Sequence, residues 1–213
     1  YYKNTEIGKV GYYALTKKDD VKVELTCSER VAFHQYTFPD NGAQVYVDLQ
    51  HGLRFLFDEQ SQQGLVIESD VKIENNTTIS GFCATQNWVS RKYYFTITFD
   101  QPFINLNHLD PKPKDKAPKY LLDFTLANNK ILKVKIALSS VAVDGAKLNM
   151  QTEIPHWDFE QVYHNNLANW ETYLDKIDIE APLKQMEIFY TSLYHLFLQP
   201  SNIADVDGKY RGV

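Results

Sequence analysis

Between about residue 10 and residue 140, apolar side chains fall at every second position; after that the repeat lengthens to three and four. This change of period constrains the fold more than any other feature. Val21, Val23 and Leu25 alternate with Lys22, Glu24 and Thr26, and Val45, Val47 and Leu49 with Gln44, Tyr46 and Asp48. The same holds for Tyr93, Phe95, Ile97 and Phe99, for Tyr120, Leu122, Phe124 and Leu126, and for Leu132, Val134, Ile136 and Leu138. Successive side chains of a strand point to opposite faces, so each run has one face to bury. Further strands are expected near 11–16, 30–38, 65–74 and 77–84, separated by turn signals at Lys18-Asp-Asp20, Asp40-Asn-Gly42, Glu74-Asn-Asn76 and Asn128-Asn129. About nine short strands without an intervening helix predict a mainly β, antiparallel β-sandwich. On this reading Cys27 shares the buried face of Val23 and Leu25. Glu24, Asp48 and Asp123 face solvent, and His34 is a hydrogen-bonded core or interface residue.

Past residue 140 the pattern is helical. Residues 142–154 predict a short helix. Asp158 is placed as an N-cap before Phe159, Val162, Tyr163, Leu167, Trp170, Leu174 and Ile177, which share one helical stripe. Ile179-Glu-Ala-Pro182 interrupts it. A strongly apolar helix then runs over 183–199, ended by Pro200. Such a helix needs cover, and the expectation is that it opens a larger all-α region, the chain being the front part of a longer protein. The expected divisions are 1–141 for the sandwich, 142–178 for a helical linker and 179–213 for the start of the α region.

Composition removes several classes. Of 213 residues 44% are hydrophobic and the net charge is −5, enough for one or two packed domains. There is no basic stripe of the kind that binds nucleic acid, and the Lys112 and Lys114 stretch is interrupted by Asp115. No run reaches the roughly eighteen apolar residues of a membrane span. Two cysteines make no disulfide framework, and no Cys/His group has zinc spacing.

Several segments look familiar in order. Gly11-Tyr-Tyr13 and the stretch from Val23 to Pro39 form one block, and Ser80-Gly81, Gln86-Asn-Trp88 and Tyr93-Tyr-Phe95 to Phe103 a second. The third, and most specific, is Phe189-Tyr-Thr-Ser-Leu-Tyr-His195, Pro200 and Asp205-Val-Asp-Gly-Lys-Tyr-Arg-Gly212. Together they resemble the N-terminal part of glycoside hydrolase family 92, bacterial exo-acting α-mannosidases. The resemblance implies a supersandwich-like β-domain joined by linker helices to a larger (α/α)6 barrel, of which 179–213 would be the truncated beginning. It implies calcium-dependent hydrolysis of terminal α-mannosides of glycans, such as α-1,2-mannose, with inversion, in a periplasmic or secreted setting. An inverting glycosidase sets its acid and base about 6.5–9.5 Å apart around a water. The family's acid, base and most calcium ligands resemble barrel segments beyond Val213, and a glycine-rich sugar-binding segment would precede Tyr1. No catalytic residue and no metal ligand is therefore carried onto this chain, which on its own is expected to be inactive.

The candidate substrate-binding residues that remain are Asp205, Asp207 and Trp88. The two carboxylates can bind sugar hydroxyls, position a neighbour, or ligate a metal. Asp-x-Asp-Gly opens like a calcium loop but lacks the later ligands; alternatively it is a turn in which Gly208 supplies positive φ and Arg211 pairs with a carboxylate. Trp88, in a polar loop, either stacks on a sugar face or anchors the sandwich on the helices, while Trp157 and Trp170 read as packing residues. Two rival functions stay open. One is a non-catalytic carbohydrate-binding sandwich; the other is an interaction domain whose helices dock on a partner.

Overall fold

Eleven strands and three α-helices make up the described residues, which in the computed structural model are 1–49, 66–86, 90–109 and 118–212. Strands β1 (Tyr2–Lys9), β2 (Tyr12–Thr16), β3 (Lys22–Cys27) and β4 (Val31–Thr37) form one antiparallel meander. Strands β6 (Val66–Asn75), β7 (Thr78–Gln86) and β8 (Ser90–Phe99) form another. Strand β11 (Ile131–Ser139) lies between the two and joins them into an eight-stranded sheet, β1-β2-β3-β4-β11-β8-β7-β6. Strands β5 (Gly42–Asp48), β10 (Lys119–Thr125) and β9 (Phe103–Leu109) make a three-stranded sheet.

The alternation read from the sequence supplies the sandwich core. Ile79, Phe95, Ile97, Phe99, Leu132 and Val134 of the large sheet meet Ala43, Leu122 and Phe124 of the small one. Phe99 packs on Phe124 with ring centroids 5.0 Å apart. Burying a side chain of this size is worth about 1.5–3 kcal/mol, so this cluster is a main source of the domain's stability.

The opposite face of the large sheet is covered by helices α1 (Val143–Glu153) and α2 (Phe159–Leu174). Ala146, Met150, Ile154, Phe159 and Val162 close over Val31, Phe33 and Ala137. Phe33 meets Trp157 and Phe159 edge-on at 5.8 and 5.4 Å. Helix α2 starts as its sequence predicts, the Asp158 carboxylate accepting from Gln161 N at 3.0 Å. Helix α3 (Leu183–Phe197) touches α2 through Trp170–Tyr194 and Tyr173–Phe197. Of its residues only Leu193 is buried; Leu183 is 73% exposed and Leu196 69%.

The second cover corrects several expectations. The face of β3 that lies under α2 carries Glu24 and Thr26, both buried, whereas Val23 and Leu25 are only half-buried and Cys27 is exposed. Glu24 therefore does not face solvent; it accepts from Tyr12 Oη at 2.9 Å and Gln35 Nε2 at 3.2 Å and pairs with Lys22 at 2.9 Å. Burial opposes its ionisation, but Lys22, Tyr12 and Gln35 outweigh that and hold its carboxyl below the usual value. Asp48 is likewise screened from solvent, 3.8 Å from Lys119. Asp123 accepts from Gln44 and Asn107 at 2.8 and 3.0 Å. His34 is half-buried as expected, with Nδ1 2.7 Å from Tyr36 Oη, and burial lowers its pKa to about 4. Strands β1 and β9 were not anticipated from the pattern.

Candidate functional site

Where β11 ends, Ser139-Ser140 turns the chain into α1, and the 203–212 segment folds back across this corner. Ser139 organises it. Its Oγ donates to Asp205 Oδ2 at 2.6 Å and accepts from the amides of Val141 and Ala142 at 2.9 and 3.3 Å. All the bonding capacity of the hydroxyl is used. Asn149 of α1, fully buried, donates from Nδ2 to Leu138 O and to Asp205 Oδ1, and its Oδ1 accepts from Val206 N, each at 2.9 Å. Asp205 is thus only 4% exposed, with both carboxylate oxygens engaged. Of the three roles its sequence offers, sugar contact, positioning of a neighbour and metal ligation, positioning is the one that this burial supports.

The rest of the loop faces outward. Asp205 N donates to Lys209 O at 2.7 Å and Gly208 N to Asp205 O at 2.9 Å, a tight turn in which Gly208 has φ +81°. That is the left-handed conformation expected of this glycine. Asp207 is exposed, and its carboxylate bonds Lys209 Nζ at 2.7 Å and Lys209 N at 3.1 Å. Lys209 holds the Asp207 carboxyl below its ordinary value. The pairing thus falls to Lys209 and not to Arg211. Arg211 N instead donates to Ser140 Oγ at 3.3 Å.

Beside this loop lies a cleft of about 320 Å³ lined by Lys92, Tyr94, Ser140, Val141 and Arg211. Its lining residues carry an ammonium, a phenol, an alcohol and a guanidinium, and the space is large enough for a small polar molecule. Hydrogen-bond donors of this kind suit hydroxyl-rich ligands. Lys92 is braced over the Phe82 ring, 3.6 Å from its centroid. Trp88 lies outside the described residues, between Gln86 and Ser90, whose pairing closes the β7–β8 hairpin.

Calcium takes six to eight oxygen ligands. Among the described residues no three His, Cys, Asp or Glu side chains converge on a common point. Asp205 already spends both oxygens on protein donors, and Asp207 faces an ammonium. The described residues do not fit a calcium cage.

Sequence reasoning did not find Ser139, Ser140, Asn149, Lys92 or Tyr94. A signal existed for α1, where Gly145 and Asn149 are poor helix formers with no reason to be there unless something packs against them.

Comparison with known proteins places this architecture among the glycoside hydrolases. The N-terminal domain of glycosyl hydrolase family 92 matches residues 1–139, and the catalytic domain of the same family matches residues 145–213. The chain belongs to glycosyl hydrolase family 92. A family GH92 α-mannosidase from Bacteroides thetaiotaomicron superposes with a TM-score of 0.88 at 29% identity, over 100% of this chain and 30% of that one. Its complex with mannoimidazole gives 0.86 at 27%, over 100% and 29%. An uncharacterized secreted glycosidase of Arthroderma benhamiae is 24% identical over 95% of this chain and 30% of its own length. The chain thus spans about 30% of the relatives it matches. Among the described residues no helix is long and apolar enough to cross a membrane.

Proposed function

We propose that this chain is the N-terminal part of an exo-acting α-mannosidase that hydrolyses terminal α-mannosides of glycans, α-1,2-mannose among them, with inversion of configuration. The observation that carries this is the superposition of the entire chain, sandwich, linker helices and α3 together, on an α-mannosidase. In this reading 1–141 is the sandwich, 142–178 the linker and 179–213 the opening of an (α/α)6 barrel, whose remaining helices cover the exposed apolar face of α3. The acid, the base and the calcium ligands belong to that remainder; calcium supplies a site for sugar hydroxyls there, and residues 1–213 alone are inactive. The chain's own contribution is one wall of the sugar site. Asp207 and Trp88 contact the substrate, Asp205 holds Asp207 in place, and Lys92, Tyr94 and Arg211 offer donors to its hydroxyls. The working environment is the bacterial periplasm or the outside of the cell.

The test is direct. The full-length protein is incubated with 4-nitrophenyl α-mannoside and α-1,2-mannobiose, with and without a calcium chelator, and the first-formed sugar is observed by proton NMR. Release of β-mannose, abolished by the chelator and absent with residues 1–213 alone, is the expected result. Release of α-mannose, or of a different sugar, refutes the assignment.

A further inference from the structure

Four consecutive residues of the loop, 203 to 206, are each bonded to the part of the chain before residue 150. Ser140 Oγ donates to Ile203 O at 3.2 Å, and Arg30 Nε donates to Ala204 O at 2.5 Å. Arg30 is itself fixed by Glu153 at 2.6 Å, whose other oxygen accepts from Ser28 Oγ and Arg30 N. Ser139 and Asn149 hold the Asp205 carboxylate, and Asn149 holds Val206 N. Residues 207–212 are exposed. A loop gripped at its root, and tied again where Arg211 N donates to Ser140 Oγ, presents Asp207 between the two holds.

The grip is demanding in shape and in bonding. Gly145 lies in the first turn of α1 against the carboxylate: a Cβ there would sit 2.7 Å from Ser139 Oγ and collide with Asp205 Oδ2. The glycine is therefore required by close approach and not by its own φ. The first turn of a helix also favours an anion. Around Asp205 the protein offers three donor hydrogens, one from Ser139 and two from Asn149, of which one goes to Leu138 O. A carboxylate supplies the two acceptors left to find; an amide supplies one acceptor and adds two donors. Turned either way, an asparagine at 205 leaves a buried donor facing a donor.

We propose that Asp205, with Ser139, Asn149 and Gly145, is a latch whose function is to set the position of the Asp207–Arg211 tip at the cleft. Asp205 is a positioning residue, and the part of this inference that concerns substrate rests on the mannosidase reading above. The latch spans the two family domains, since Ser139 closes the stretch matched by the N-terminal domain and Asp205 lies in that matched by the catalytic domain.

Two measurements on the full-length protein test it. In the wild type, hydrogen exchange must find the amides of Asp205, Val206 and Gly208 protected while those of Ser201 and Asn202 exchange freely; equal exchange across both stretches overturns the latch without any variant. S139A and D205N are then compared with wild type on 4-nitrophenyl α-mannoside, well below their unfolding temperatures. The expected result is faster exchange confined to 203–212 together with a roughly tenfold rise in KM and a kcat changed less than about threefold, the pattern of lost substrate positioning. A lowered Tm with unchanged KM and unchanged loop exchange makes Asp205 a mere packing residue and overturns the proposal. If the wild type cleaves no α-mannoside, the functional reading fails, whereas the exchange comparison still decides whether the latch exists. D205N that does not fold leaves the decision to S139A and to the wild-type exchange pattern.

Discussion

Phe33 should be the residue whose loss most cleanly separates the helices from the sheet. It is fully buried on the face opposite the sandwich core, held edge-on by Trp157 and Phe159. Phe33→Ala deletes a whole ring between two others, and the rigid strand beneath cannot move to fill the space. Truncations of this type cost about 3–5 kcal/mol, the larger values where the site cannot collapse. Set against a typical domain stability of about 5–15 kcal/mol, that is about a fifth of the total or more. Urea unfolding followed by tryptophan emission is the assay, because Trp157 touches the mutated ring. The midpoint should fall while the slope is retained. Leu138→Ala, on an exposed position of the adjacent strand, is the control and should change stability by about 0.5 kcal/mol or less. A loss below about 1 kcal/mol for Phe33→Ala would refute the view that this aromatic cluster anchors α2.

Other predictions are simpler. His34 has a folded pKa of about 4 against an ordinary value of 6.5, so the unfolded chain takes up its proton first as pH falls. The neutral ring's contribution is complete above pH 6.5 and is lost on descending to about 4. At about 1.36 kcal/mol per unit this is at most about 3 kcal/mol, less for a half-buried ring; urea midpoints from pH 7 to 4 should slope less steeply in His34→Leu. Asp158→Ala removes the bond to Gln161 N and should cost about 1 kcal/mol, read as a lowered midpoint. Asp207→Ala in the full-length protein should raise KM for an α-mannoside roughly tenfold with its folding unchanged; an unaltered KM would exclude it from the sugar site. Lys135 is buried with Nζ on Ile154 O at 3.0 Å and over the Trp157 ring at 4.1 Å. Lys135→Met should be near neutral or stabilising, because it removes a buried charge that has no carboxylate opposite it among the described residues; a large loss on thermal melting would show that the cation–π contact outweighs desolvation.

The strands that carry a one-sided alternation were legible, as were the Asp158 cap and the helix after Pro182. Strand β1 was not, because it is an edge strand exposed over most of its length and has no buried face to imprint a period. Strand β9 carries Asn105 and Asn107 on an edge of the small sheet, which dilutes its pattern. On β3 the alternation was seen but its faces were exchanged, since a polar row of Tyr12, Glu24 and Gln35 is satisfied by its own cross-strand bonds beneath a helix. Polarity reads as solvent when the partners cannot be seen. The same blindness governed the site: Asp205 stood out within its motif, but Ser139 and Asn149 lie 66 and 56 positions away from it and belong to no motif of their own.

The place of β11 has a consequence for how the protein comes into being. This strand is the last of the sheet to be synthesised, yet it sits at the middle, pairing residues roughly a hundred positions back on β4 while also bonding β8. Until it emerges from the ribosome, the two meanders are separate half-sheets, each with an unpaired inner edge open to the wrong partner. Closing so long a loop is slow, and the helices that cover the sheet follow only afterwards. Translation pauses or chaperone capture should therefore matter most in the interval before residue 140, when the nascent chain has most of its strands and no finished sheet.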